Sequence, residues 1–157
     1  MRLKALVCSL AGALSIGACA DEGAGLPASE LGAEISAAEA RRAMIEDDVI
    51  LIDVRTPGEW AQTGLARGAA RVTLQDPAFV GKVEAITGGD RSAKIAFICR
   101  SGNRSKTARD RLKRAGYPHV TSVAGGMLAR KGWNSEGYPT VSLADAGCAG
   151  ADITASC

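Results

Sequence analysis

Lys94-Ile95-Ala96-Phe97-Ile98-Cys99-Arg100-Ser101-Gly102-Asn103-Arg104-Ser105 is an apolar run that ends on a cysteine and passes at once into a polar, glycine-containing loop. Ile95 to Ile98 leaves neither side of a strand for polar side chains, which suits a strand buried on both faces. Asn103 to Ala115 reads as a helix, with Ala108, Leu112 and Ala115 on one face and basic residues elsewhere. Gly116 and Pro118 end it. The unit is therefore strand, tight loop, helix.

The same alternation extends outward. Val49 to Val54 is a second apolar, β-branched strand, stopped by a turn at Arg55-Thr56-Pro57-Gly58. Ahead of it, Ser36-Ala37-Ala38-Glu39 is a capping-box pattern that opens a helix through about Glu46. Ala69 to Thr73 reads as a weaker strand and Asp76 to Ile86 as a helix. Val120 to Ala124 is a further strand, and Gly125-Gly126 precedes another short helix. Continuous apolar strands alternating with helices predict an α/β fold, a parallel sheet with helices on both faces. No internal repeat is present. The tail from Leu143 is small and polar and is expected outside the core.

Composition agrees with one globular domain: 46% of the 157 residues are hydrophobic and 23% charged. The first twenty residues read as an export signal. Arg2 and Lys4 precede a short apolar run, Ala5 to Ile16, that ends in Gly17-Ala18-Cys19-Ala20. Two cleavage readings compete. Ala18-Cys19-Ala20 fits ordinary signal cleavage before Asp21, whereas Ile16-Gly17-Ala18-Cys19 resembles a bacterial lipobox, with Cys19 lipidated and the protein held at a membrane. Either predicts an exported, periplasmic protein, and the second a lipid-anchored one. The expected organisation is a signal over 1–20, a linker over 21–34, a folded domain over 35–140 and a tail over 141–157. Of 19 Lys and Arg residues, Arg2 and Lys4 fall in the leader; the other 17 balance the 17 Asp and Glu. A nucleic-acid binder keeps a basic excess, so no nucleic-acid partner is expected.

The loop carries the chemistry. Ligands of open α/β sheets bind beyond the carboxyl ends of the strands. A tight loop there turns backbone N–H groups inward as an anion nest, and the following helix adds its positive end. Arg100 and Arg104 add full charges, and a cysteine at the head of such a loop is biased towards thiolate. A cysteine at a strand end is by itself better explained as inert core. Two arginines, a glycine and a small hydroxyl within the next residues favour the reactive reading. The single histidine, His119, reads as a surface residue entering a strand.

Cys99-Arg100-Ser101-Gly102-Asn103-Arg104-Ser105 resembles the active-site loop of the rhodanese family in its thiosulfate-using form, where a basic residue follows the cysteine. Asp53-Val54-Arg55-Thr56-Pro57-Gly58-Glu59-Trp60 is similar to the family's D-x-R-x-x-x-E-aromatic signature, in which the resemblance implies a structural pairing of Arg55 with Glu59. Gly64-Leu65-Ala66-Arg67-Gly68-Ala69 matches a further element only at its Gly and Ala positions. Gly125-Gly126, with Trp133, Gly137 and Pro139, resembles the closing signature. The resemblance implies a rhodanese-like fold over about 35–140 and a sulfurtransferase. Cys99 takes sulfur from a small-molecule donor such as thiosulfate, holds it as a persulfide, and passes it to a thiol or to cyanide. It implies that Arg100, Ser101, Gly102, Asn103, Arg104 and Ser105 bind substrate, that Asp53, Arg55 and Glu59 are structural, and that no metal or organic cofactor takes part.

Two other readings stay open. A persulfide carrier or binding module with negligible turnover keeps the same loop. A cysteine phosphatase or arsenate reductase resembles C-x5-R, but here Arg104 follows Cys99 after only four residues, a tighter ring suited to one sulfur atom. In the tail, Cys148 and Cys157 are expected to form a local disulfide after export. The competing reading is that one of them accepts the Cys99 persulfide.

Overall fold

The computed structural model describes residues 31–146. The leader with Cys19, the linker through Glu30, and the tail cysteines Cys148 and Cys157 lie outside the described residues.

The chain runs β1 (Glu34–Ile35), α1 (Ala37–Glu46), β2 (Ile50–Asp53), α2 (Pro57–Thr63), β3 (Leu65–Ala66), β4 (Ala70–Arg71), α3 (Phe79–Ile86), β5 (Ile95–Ile98), α4 (Asn103–Arg114), β6 (Val120–Val123) and β7 (Thr140–Val141). Five strands form a parallel sheet in the order β1-β6-β5-β2-β4, and β3 pairs with β7 in a separate antiparallel ribbon. The strand that carries Cys99, β5, lies at the centre, with Asp53 of β2 opposite Ile98.

Side chains alternate across the sheet as the pleat requires. Leu51, Ala96 and Ile98 pack with Ala37, Ala40 and Ala43 of α1, and with Met127 and Trp133. Ile52, Ile95 and Phe97 pack with Phe79 and Val83 of α3, and with Ala108 and Leu112 of α4. Helices thus cover both faces, and both cores end at the carboxyl edge of β5.

Three local readings change. Arg55 to Gly58 is not an isolated turn: Thr56 caps α2, its hydroxyl accepting the Glu59 N–H while the Glu59 carboxylate accepts the Thr56 N–H, and Pro57 stands in the first turn. This repeats the chemistry of Ser36 and Glu39 at α1. No helix follows Gly125-Gly126; residues 124–137 form successive turns. Both glycines have positive φ, and the N–H groups of Met127 and Leu128 bond to the carbonyls of Cys99 and Arg100 instead of a helical ladder. Strand pairing also reaches one residue beyond 35–140 at each end, Glu34 pairing with Ser122 and Val141 with Leu65. His119 is exposed just before β6.

Candidate active site

Cys99 follows β5 directly and is almost fully buried, 1% exposed. Its Sγ accepts the Gly102 N–H at 3.1 Å and lies 3.7 Å from the Ser105 hydroxyl. That hydroxyl donates to the Gly102 carbonyl at 2.7 Å, which ties the first turn of α4 to the loop. Gly102 takes φ +106°, a conformation open to glycine and strained for side-chain-bearing residues; it turns the Gly102 N–H back onto the sulfur. The first turn of α4 carries no acidic residue, so the helix presents its positive end to Sγ uncancelled.

The far side of the loop is braced by residues 126–128. The Met127 N–H bonds to the Cys99 carbonyl at 2.7 Å and the Leu128 N–H to the Arg100 carbonyl at 2.9 Å. Gly126 sits hard against this junction. A Cβ there would collide with the Cys99 carbonyl oxygen and lie 2.8 Å from the Arg100 carbonyl carbon. The sequence shows a glycine pair here but not which backbone it must approach.

The charged residues are not partnered as the resemblance implied. Arg55 does not pair with Glu59. Its Nε donates to both Asp53 oxygens at 3.0 and 2.9 Å, and its Nη2 to Asp53 Oδ2 at 2.7 Å and to the Gly64 carbonyl at 2.6 Å. Its Nη1 donates to the Thr63 hydroxyl at 2.5 Å. Asp53 and Arg55 are fully buried, so the pair survives desolvation only because these bonds satisfy it. It fastens the end of β2 to the start of β3.

Glu59 pairs instead with Arg104, Oε2 to Nη1 at 2.7 Å and Oε1 to Nη2 at 2.6 Å. This fork joins the start of α2 to the start of α4. The guanidinium holds the Glu59 carboxyl down to about 2; burial opposes the shift, and the Thr56 N–H and hydroxyl add to it. The Arg104 cation is favoured in turn, first by Glu59 and further by negative charge at Cys99 and Asp53. Arg104 was expected to grip substrate directly. Both its terminal nitrogens donate to Glu59, because α2 and α4 both begin just beyond the carboxyl ends of the neighbouring parallel strands β2 and β5. Arg100, Ser101 and Asn103 are exposed around the loop, while Gly102 and Ser105 are buried against the sulfur. Trp60, beside Glu59, is buried with Nε1 unpartnered, and the Arg71 guanidinium lies 5.7 Å from its ring centre.

A family model described as Rhodanese-like domain matches residues 36–136. A protein named sulfurtransferase from Allochromatium vinosum is 33% identical over 95 residues, spanning 60% of this chain and 80% of its own length. A chloroplastic protein of Arabidopsis thaliana named thiosulfate sulfurtransferase 16 is 36% identical over 98 residues, spanning 57% and 77%. Among solved structures, a rhodanese-related protein from Thermoplasma volcanium superposes with a TM-score of 0.55 at 28% identity, covering 70% of this chain and 98% of that one.

Proposed function

Because the chain belongs to the rhodanese-like domain family, we propose that it is a sulfurtransferase whose Cys99 carries sulfane sulfur as a persulfide. Family membership and the sulfurtransferase relatives support the general activity. The observation that carries the specific reading is the position of the sulfur: Cys99 Sγ accepts the Gly102 N–H at the positive end of α4. An anionic sulfur added to Sγ remains beside the Gly102 N–H and the α4 dipole, which are fixed before the reaction begins.

In the proposed cycle, the Cys99 thiolate attacks the outer sulfur of a donor such as thiosulfate. The donor's S–S bond breaks, sulfite leaves with the bonding pair, and Cys99 holds the persulfide. A thiol or cyanide then attacks the outer sulfur and restores the thiolate. Arg100 is exposed at the loop and has no side-chain partner among the described residues, so it can meet the sulfonate. Arg104 contributes its field and holds α2 against α4. Assay of thiosulfate:cyanide transfer tests the reading: Cys99→Ser should abolish it, because an alcohol forms no transferable persulfide, and substantial turnover in that variant would overturn it.

A further inference from the structure

The cations of α4 separate into those already neutralised and those left over. Arg104 meets Glu59, Lys106 meets Glu34 at 2.8 Å, and Arg109 meets Asp110 at 2.7 Å. Arg111 bonds to the carbonyls of Leu74 and Pro77 and lies over the Phe79 ring. Among the described residues, the cations whose side chains have no partner are Arg67, Arg100, Lys113, Arg114, Arg130 and Lys131. Lys113 and Arg114 close α4, where positive charge complements the helix carbonyls. Arg67 follows β3. The other three lie on two segments joined by a backbone hydrogen bond. Arg100 is in the cysteine loop, and the turn bearing Arg130 and Lys131 is hydrogen-bonded to it through Leu128.

That turn has two further features. Leu128 is 40% exposed, one of two large hydrophobic side chains so placed among the described residues, and its backbone is pinned to the Arg100 carbonyl. Lys131 takes φ +64°, a left-handed conformation that favours glycine. Glu136 is the acid nearest to it along the turn, and no ion pair joins the two.

We propose that Leu128, Arg130 and Lys131, together with Arg100, form the docking surface for the sulfur acceptor, a protein that presents a cysteine thiol within an acidic surface. This rests on the persulfide reading of Cys99. A small anionic thiol would be held by Arg100 alone. Leu128, Arg130 and Lys131 stand on a separate turn from Arg100, so a partner that meets all four spans both segments, and unneutralised positive charge selects an acidic one. Because Cys99 is 1% exposed, the acceptor's cysteine must come to it. The acceptor thiolate attacks the outer sulfur of the persulfide, the Cys99–sulfur bond breaks, and its electron pair returns to Cys99 as thiolate. The acceptor leaves as a persulfide, with no net oxidation.

The test uses the full chain, loaded with sulfur and checked by intact mass. Two synthetic peptides serve as acceptors, each with one cysteine flanked by glutamates in one and by lysines in the other; 2-mercaptoethanol is the neutral control. The expected result is transfer to the acidic peptide faster by about tenfold or more than to the basic one, with the difference shrinking as salt rises. In the double variant R130E/K131E the preference should disappear or reverse, while transfer to 2-mercaptoethanol stays unchanged. Equal rates for the two peptides, or an unaltered preference in R130E/K131E, would overturn the docking surface. So would binding of these cations to phosphatidylglycerol vesicles with no effect on peptide transfer. Failure of any donor to add sulfur at Cys99 overturns the persulfide reading instead, and intact mass tells that failure from the others before a peptide is added.

Discussion

Replacing Glu59 by Gln tests the fork between α2 and α4. Glutamine keeps an oxygen for the Thr56 N–H, so α2 stays capped while the negative charge opposite Arg104 is lost. The carboxyl titrates at 4.5 in an unfolded chain and is held at about 2 in the folded one. Taken whole, that difference corresponds to about 3 kcal/mol of stability. The two side chains remain 26% and 22% exposed, so water screens part of it. Charged hydrogen bonds removed by mutation cost about 1.5–3 kcal/mol, and the expected loss at pH 7 is about 2 kcal/mol. The sign follows from the depressed folded value. The contribution is complete above pH 4.5 and disappears as pH falls towards 2. Wild type and Glu59→Gln should therefore differ by about 2 kcal/mol in urea unfolding at pH 7, and the difference should shrink to about 0.5 kcal/mol near pH 2.5. Glu39, Asp76 and Asp90, whose carboxyls are also held low, titrate in both proteins and cancel. Fluorescence of the buried Trp60 and Trp133 reports unfolding. A difference that stays constant with pH, or no difference at pH 7, would refute the reasoning.

Three further expectations rest on the same geometry. Gly126→Ala places a methyl against the Cys99 carbonyl at a φ of +56°; urea unfolding should show a loss of about 2–4 kcal/mol, with transfer activity falling as the loop shifts. Arg55→Met leaves Asp53 buried without its counter-charge, so unfolding should record a loss of about 3–5 kcal/mol, whereas a neutral result would mean the pair is dispensable. Arg100→Ala should reduce kcat/KM for thiosulfate roughly ten- to a hundredfold at nearly unchanged stability, while Arg104→Ala should first destabilise the fold; equal kinetic losses without destabilisation would place both arginines on the substrate.

Much of this architecture was legible in the sequence because it rests on local signals. The β5 run and the α4 periodicity set the strand, loop and helix around Cys99, and Ser36-x-x-Glu39 marks the start of α1. Thr56-x-x-Glu59 carries the same signal, but Pro57-Gly58 reads more strongly as a turn, and α2 was missed. The two-residue strands β1, β3 and β7 carry no periodicity of their own; their pairing is decided by distant partners. The charge pairing was hidden for a related reason. Arg55 has a carboxylate two residues back and another four ahead, and spacing does not choose between them. The buried end of β2 does, by closing around Asp53, which leaves Glu59 at the mouth of α2 for an arginine 45 residues away. The role of Gly126 was likewise invisible, because it depends on a carbonyl from another segment.

The central claim is that Cys99 carries the transferable sulfur. Mass spectrometry of the purified protein after exposure to thiosulfate, followed by peptide mapping, tests it most directly. The expected result is a gain of one sulfur atom, located on the peptide containing Cys99, lost on addition of cyanide and absent in Cys99→Ser. No gain in mass, or sulfur located on Cys148 or Cys157 with Cys99 unmodified, would contradict it.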